Sequence, residues 1–237
     1  MKRIAILFAA CTICAELAAA PRAEIKDTTA FEQLYEAVVS ATRAPQSAPF
    51  AISRIQSSEL REFSQGVQEL PFLFAHTPGV VAWSDNGVGT GTSYLRIRGA
   101  GDSRINVTID GVPLNSPEDQ CVFWANMNSY SSFLGGVEIQ RGVGSSSNGD
   151  GAFGGTVALT SRTPSLVPSS QVDFSYGSYN TRKAGASLST GLLGGKWIID
   201  ASYHNTATDG YMAGTAGNSG SWMASLTFLA SKDLLFR

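Results

Sequence analysis

The feature that most limits the fold of this 237-residue chain is an alternation of apolar and polar residues that begins at Gln171. A period of two is typical of strands with one apolar face. The segments are roughly 8–11 residues long, enough to cross a bilayer as tilted strands. Their apolar positions are Val172, Phe174 and Tyr176; Ala184, Ala186 and Leu188; Trp197, Ile199, Ala201 and Tyr203; and Trp222, Ala224, Leu226 and Phe228. The pattern predicts antiparallel transmembrane strands.

The connections between these segments differ in length. "GSYNT" and "GLLGG" are tight, whereas residues 206–220 form a long polar connection. Outer-membrane barrels have short periplasmic turns and longer outer loops, so we expect the first strand to rise from the periplasm. A soluble β-sandwich with one wet face would show the same alternation. It does not explain Trp197 and Trp222 at strand ends, and we therefore favour the barrel.

The first twenty residues have the pattern of a cleaved secretion signal. Lys2 and Arg3 precede an apolar run at residues 4–13, and small residues follow at positions 18–20. Ten apolar residues are too few for a transmembrane helix, so export is the better interpretation. Cleavage would remove two of the three cysteines and leave Cys121, which excludes an internal disulfide in the mature chain.

Residues 21–164 read as a mixed unit of short helices and strands. The sequence predicts a strand at 49–55, a helix at 57–65 capped by Ser57, and a second helix at 69–76 that ends at "TPGV". Four glycine-bounded runs with period-two alternation follow, namely "SYLRIRG", "RINVTIDG", "GVEIQRG" and "GTVALTS". The expected architecture is therefore α+β.

Composition and motifs argue against several functions. Only 15% of the residues are charged and the formal net charge is −2, which provides no basic field for nucleic acid. The glycine-rich stretch at 141–155 contains no lysine and cannot be a P-loop. We find no metal-ligand spacing, no cofactor motif and no nucleophile–base pair around the two histidines. We expect neither an enzyme nor a bound metal or cofactor.

The stretch "SYGSYNTRKAGASLSTGLL" resembles the first barrel hairpin of TonB-dependent outer-membrane receptors from Bacteroides-like bacteria. Several earlier stretches, in order, resemble the plug domain of this receptor family. They are "YEAVVSATRAP", "ELREF" with "PGV", "LRIRGAGDSRINVTIDGVPLN" and "VEIQRGVGSSSNGDGAFGGTVALTSRTP". The resemblance implies an α+β plug domain, with a mixed four-stranded sheet and short helices, followed by antiparallel barrel strands. We expect a signal peptide at 1–20, a mobile leader at 21–44, the plug at 45–164 and about four strands at 165–237. Because plug-enclosing barrels have about 22 strands, we expect the chain to be a fragment with an incomplete barrel.

The resemblance also implies active uptake of a scarce solute, with an iron–siderophore complex as the default ligand. Carbohydrate, peptide and cobalamin ligands stay open. The implied partners are outer-membrane lipid, a small molecule such as a metal chelate, and TonB with its energy complex. A TonB box is implied at Glu36, Ala37, Val38, Val39 and Ser40. An extended Val-Val segment can add to a partner's sheet edge, although these residues could also form an ordinary plug strand.

The plug loops provide the candidate site residues. Ligand contacts are expected at the loops that contain Trp83, Asp85, Asn86, Glu118, Asp119 and Trp124. Arg96, Arg98 and Arg141 are expected to hold the plug against carboxylates of the barrel lumen. The glycines of residues 141–155 allow close backbone approach, so we interpret this stretch as a packing device. The alternative is a secreted carbohydrate-binding or adhesive β-rich domain, which cell fractionation would distinguish from a membrane receptor.

Overall fold

The structure is a computed structural model that describes residues 51–143, 153–231 and 234–236. The predicted signal peptide, the leader with its TonB box, and residues 144–152 of the glycine-rich stretch lie outside the described residues. The described part of the chain contains no helix that is both long enough and apolar enough to cross a membrane.

Residues 51–161 form a first unit of short strands and helices. Its described strands are β1 (Ala51–Ile55), β2 (Val80–Ser84), β3 (Ser93–Ile97), β4 (Ile105–Ile109), β5 (Val112–Pro113), β6 (Leu134–Arg141) and β7 (Gly155–Ser161). Its helices are α1 (Ser57–Ser64), α2 (Leu70–Phe74) and three 3₁₀ turns at Asp102–Arg104, Trp124–Met127 and Tyr130–Phe133. The α+β architecture expected from the sequence is confirmed.

The two helices begin in different ways. The N-cap of α1 is Gln56, whose backbone N–H donates to the Glu59 carboxylate over 2.9 Å. The predicted cap at Ser57 is therefore wrong, because that residue already has helical geometry. Helix α2 is shorter than predicted, with Glu69 as its N-cap and a proline in its first turn. The chain then turns at Gly79, where φ is +79° and an L-residue would be strained.

The main sheet of the first unit has the order β1-β6-β7-β4-β5. Strands β4 and β7 are parallel, and the other pairs are antiparallel. The sheet is mixed as expected, but it has five strands instead of four. The run "SYLRI" is not part of it, since β3 pairs with β2 as a separate hairpin. Sequence reasoning missed β2, which directly follows the Pro-Gly turn.

An apolar core lies between the helices and the main sheet. Leu60 and Phe74 come from the helices, and Ile139 and Val157 from the two central strands; all are almost fully buried. Trp124 joins them, with its ring edge-on to Phe74 at 5.6 Å between centroids. Burial of such side chains is the main driving force for folding, at about 25 cal/mol per Å² of apolar surface.

A second sheet follows and is called the wall sheet here. Its strands are β8 (Ser169–Gly177), β9 (Thr181–Ser189), β10 (Trp197–Thr208), β11 (Gly217–Ser231) and β12 (Leu234–Phe236). Neighbours in sequence pair antiparallel, in the order β12-β11-β10-β9-β8. The four predicted strands are confirmed and a short fifth follows. Among the described strands the sheet is open, with β8 and β12 at its edges.

The two faces of the wall sheet differ in chemistry. The face turned away from the first unit has exposed apolar side chains: Val172, Phe174, Tyr176, Trp197, Ile199, Tyr203, Trp222 and Leu226. The face turned towards it has buried polar side chains: Thr181, Lys183, Ser189, His204, Thr206, Thr208 and Thr227. This is the reverse of a soluble sheet, where the apolar face covers the core. The alternation in the sequence predicted the apolar set, and Ser189, His204 and Thr227 of the polar set.

Candidate ligand-binding site

The hairpin β2–β3 displays a pair of stacked aromatic side chains. Trp83 and Tyr94 are directly opposite in the register, with ring centroids 5.2 Å apart and planes 18° from parallel. The Arg96 guanidinium carbon lies 5.4 Å from the centre of the Trp83 ring. Such cation–π contacts are stabilising by roughly 0.5–1 kcal/mol at exposed sites. The hairpin therefore presents an aromatic surface beside a positive charge.

A carboxylate completes this surface. The Tyr94 hydroxyl donates a hydrogen bond of 3.2 Å to Asp85 Oδ2. The negative charge of Asp85 raises the pKa of Tyr94, so its hydroxyl stays neutral and remains a donor. Trp83 is 39% exposed, which leaves part of its indole ring open to a ligand. We call Trp83, Asp85, Tyr94 and Arg96 the hairpin cluster.

Asn86 has a structural position in the same loop. Its side-chain oxygen accepts hydrogen bonds from Ser84 Oγ and from the backbone N–H groups of Val88 and Gly89, at 3.0–3.2 Å. Its Nδ2 donates to Thr90 Oγ1 over 2.6 Å. The side chain is buried and its hydrogen-bonding groups are used within the loop. We therefore assign Asn86 to loop geometry, not to ligand contact.

The other predicted ligand residues do not join the hairpin cluster. Trp124 is 2% exposed and belongs to the core, so an outer ligand has no access to its ring and we do not retain it. Glu118 and Asp119 lie exposed on another loop, where Asp119 Oδ1 accepts the Cys121 N–H over 3.0 Å. These two carboxylates stay predicted ligand contacts.

The three arginines have different surroundings. Arg96 lies over Trp83, as described, and Arg98 has φ +51° in the turn after β3. Arg141 donates from Nη1 to the carbonyl oxygen of Pro78 over 2.9 Å, which ties the end of β6 to the segment before β2. These contacts lie within the first unit. Their predicted role against lumen carboxylates stays a prediction.

The wall sheet contacts the first unit through residues that sequence reasoning did not select. Lys183 Nζ donates to the carbonyl oxygens of Ser64 and Gly66, the latter at 3.1 Å. Ser175 Oγ donates to the carbonyl oxygen of Gln65. The sequence signal for this contact is a lysine among small residues on the polar face of β9. The same pattern is equally compatible with a solvated lysine side chain.

A second contact lies nearer the long connection. The Tyr211 N–H donates to the Asn86 carbonyl oxygen over 3.0 Å, and the Tyr211 ring packs edge-on against Tyr179 at 5.3 Å between centroids. The long connection and the tight turn after β8 therefore lie at one end of the wall sheet, next to the loop of the hairpin cluster.

A polar cavity of about 290 Å³ separates part of the wall sheet from the first unit. Ser132, Asp173, Ser189 and His204 are among the side chains that line it. His204 Nε2 lies 3.2 Å from Ser132 Oγ. Within the described part of the chain, Asp173 Oδ2, Ser189 Oγ and His204 Nδ1 are buried without hydrogen-bond partners. A polar space of this size can hold water at such atoms.

The first unit also contains a buried carboxyl group. Glu69 is 2% exposed, and its Oε1 accepts a hydrogen bond of 3.1 Å from Asn128 Nδ2. Burial raises the pKa of Glu69 from 4.5 to about 7, against a smaller lowering effect of Asn128. This carboxyl group is therefore partly protonated at neutral pH.

Comparison with known sequences assigns the first unit to a family. The family model described as "TonB-dependent Receptor Plug Domain" matches residues 44–156. The chain is 31% identical over 143 residues to the ferrioxamine B receptor of Salmonella typhimurium. That match covers 57% of this chain and 19% of the relative, so the chain spans about a fifth of the relative's length.

Solved structures share the arrangement of both units. The ferripyoverdine receptor of Pseudomonas aeruginosa matches with a TM-score of 0.63 at 19% identity, over 80% of this chain and 24% of that chain. The alcaligin receptor FauA of Bordetella pertussis matches with a TM-score of 0.62 at 16% identity, over 81% and 31%. The ferrioxamine B relative and both structures are named as receptors, not enzymes. The chain therefore contains a TonB-dependent receptor plug domain, followed by antiparallel strands like those of the receptors' barrels.

Proposed function

We propose that this chain is part of an outer-membrane receptor that imports a scarce solute by TonB-coupled transport. The observation that carries the proposal is the inverted wall sheet. Its polar face lies against the plug, and its apolar face is open. An aromatic side chain buries about 150–250 Å² when it leaves water, and each 150 Å² is favourable by roughly 4 kcal/mol. Lipid would cover Phe174, Tyr176 and Trp222, which are about 70% exposed or more.

The hairpin cluster is the proposed ligand surface. It offers an aromatic face at Trp83, a fixed positive charge at Arg96 and a carboxylate at Asp85, within one short hairpin. Such a mixed surface suits a compact solute with both apolar and charged groups. The curated relative is named a ferrioxamine B receptor. We therefore propose an iron–siderophore complex as ligand, with ferric ferrioxamine B as the first to test.

TonB is the proposed energy-coupling partner. The segment Glu36–Ala37–Val38–Val39–Ser40 precedes β1, the first strand of the main sheet. An extended segment that adds to a partner's sheet edge can transmit force through main-chain hydrogen bonds. In this proposal, force on the segment reaches the plug at Ala51.

Uptake by whole cells tests the proposed function. The receptor that carries this sequence would be expressed in a host without its own siderophore receptors, and cell-associated iron would be measured after addition of radiolabelled ferric ferrioxamine B. We expect uptake that requires TonB and a detergent-dependent pool of the protein in the outer membrane. A wash-soluble protein without uptake would contradict the proposal and favour a secreted carbohydrate-binding or adhesive domain. Uptake of a different iron chelate would support the receptor function and contradict ferrioxamine B as the ligand.

A further inference from the structure

Two neighbouring side chains of the wall sheet bind three successive backbone carbonyls of the plug. Ser175 on β8 and Lys183 on β9 are directly opposite in the register and both point towards the plug. Lys183 Nζ donates to the carbonyl oxygens of Ser64 and Gly66, and Ser175 Oγ donates to that of Gln65. Ser64 is the last residue of α1 and Gln65 and Gly66 follow it, so no N–H group of the helix is available to these three carbonyls. The wall sheet therefore supplies the partners that the helix end lacks.

The burial of Lys183 makes this contact specific. The side chain is only 2% exposed, and an ammonium group leaves water only where hydrogen bonds and opposite charge compensate. The C-terminal end of α1 carries the negative pole of the helix dipole, which favours a cation there. Glu69 and Asp173 add Coulombic attraction that favours the charged ammonium. These hydrogen bonds and charges therefore offset part of the cost of burying the ammonium group.

The contact with Ser175 and Lys183 lies at the end of the segment that begins with β1. Among the described strands, β1 lies at the edge of the main sheet and pairs with β6 alone, and α1 follows it after one residue. The segment from Ala51 to Gly66 is thus attached to the main sheet on one side. The contact at its end attaches it to the wall sheet.

We propose that Ser175 and Lys183 form a clasp that fixes the C-terminal end of α1 to the barrel wall, with Lys183 as the main positioning residue. On the plug side the clasp uses only backbone carbonyl oxygens. The side chains that form it therefore both come from the wall sheet. Fixation of α1 is independent of the proposed function. A further step, in which the clasp resists a pull on the leader and opens during transport, rests on that function.

Hydrogen exchange of the whole chain in detergent micelles tests the clasp. The amides of Gln65 and Gly66 report the opening of the helix end, because they donate to the carbonyl oxygens of residues 62 and 63. We expect Lys183→Met to speed their exchange at least about tenfold, the scale of a lost hydrogen bond to a charged donor. Ser175→Ala should give a smaller increase. Lys183→Arg keeps the charge and should stay closer to wild type.

Lys196→Met is the matched control, since Lys196 is an exposed lysine in the turn between β9 and β10. It should leave exchange at Gln65 and Gly66 unchanged. A second readout is the titration of Glu69: burial raises its pKa to about 7, and the charge of Lys183 opposes this rise slightly. Lys183→Met should raise that pKa above about 7, and Lys196→Met should not.

Wild-type exchange at both amides in the double variant with Ser175→Ala and Lys183→Met would overturn the clasp. If Lys183→Met does not fold, Ser175→Ala alone decides: unchanged exchange overturns the proposal and faster exchange supports it. These measurements need neither TonB nor a ligand, so failed iron uptake would contradict the proposed function without affecting them. The step in transport is tested separately, by uptake in the Lys183→Met receptor, where loss or gain supports it and wild-type uptake overturns it.

Discussion

Asp173 and His204 face each other across Gly185, with 3.8 Å between Oδ2 and Nδ1. The three residues form one cross-strand row on β8, β9 and β10. The Ser132 hydroxyl donates to the carbonyl oxygen of Ser129, so Ser132 Oγ accepts from the Nε2–H group of His204. Nδ1 therefore carries a proton towards Asp173 only when the ring is positively charged. The glycine provides the space in which the two side chains meet.

Gly185→Ala should destabilise the contact between plug and wall. A methyl group at this position would overlap His204 Nδ1 and lie 2.7 Å from both carboxylate oxygens of Asp173. We expect a loss of about 1–3 kcal/mol, the usual cost of overpacking, seen as a lower Tm in detergent. Gly177→Ala on the neighbouring strand is the control, because a methyl group there meets no described atom within 4 Å. Equal Tm values for both variants would contradict this account.

Trp83→Ala should weaken ligand binding, because it removes the ring that stacks on Tyr94 and lies beside Arg96. Loss of roughly 1–3 kcal/mol would raise Kd about 5- to 150-fold. Titration of the micellar chain with ferric ferrioxamine B would measure it by calorimetry. Trp197→Ala changes a ring on the outer face of the wall sheet and should leave Kd unchanged. A Kd that stays at the wild-type value in the Trp83 variant would remove the hairpin cluster from the ligand site.

Glu69→Gln should remove a pH dependence of folding stability. The raised pKa of Glu69, about 7 against 4.5, means that the folded state holds the proton more tightly than the unfolded state. Its stabilising contribution is therefore fully present below pH 4.5 and is lost as the pH rises to about 7 and above. The difference amounts to about 3 kcal/mol. Unfolding by denaturant at pH 4.5 and 8 would measure it, with Glu62→Gln, on the exposed face of α1, as the control. If the unfolding free energy of the Glu69→Gln variant changes with pH as much as that of the wild type, burial of Glu69 does not cause the pH dependence.

Val38→Pro should stop uptake and leave ligand binding intact. Proline removes a backbone donor from the strand that would add to TonB, whereas the hairpin cluster lies far along the chain. Uptake of labelled ferric ferrioxamine B by whole cells would be compared with Kd. Thr28→Pro, in the leader but outside the five residues, should transport normally. Normal uptake by the Val38→Pro variant would contradict the assignment of residues 36–40 as the TonB box.

The alternation of the wall strands was predictable from the sequence because a strand fixes the direction of each side chain locally. Trp197 and Ile199 had to share one face, and Ile198 the other, whatever the strand packs against. Strands β4, β6 and β7 of the main sheet were predictable in the same way, from short alternating runs. The isolation of β3 did not, since its pairing with β2 depends on a strand that alternation alone did not indicate.

The contacts between the two units were not predictable in the same way. Lys183 binds carbonyls 117 and 119 residues away, and backbone carbonyls have no signature in a sequence. Trp124 shows the opposite case. Its loop is polar, and only the tertiary structure shows that the ring points into the core against Phe74. The hairpin cluster was predicted in part: Trp83 and Asp85 were selected as ligand contacts, but Arg96 was selected for a plug–barrel contact. The position of Tyr94 opposite Trp83 depends on strand register.

The binding of carbonyls by Ser175 and Lys183 has a consequence for protein engineering. Every residue type presents the same main-chain oxygen, so substitutions of the exposed Gln65 side chain should leave this contact in place. A chimera could therefore combine this wall with the plug of another receptor. In such a chimera, the helix that replaces α1 would need to end at the same level along β8 and β9. The amino acids in its last turn could differ.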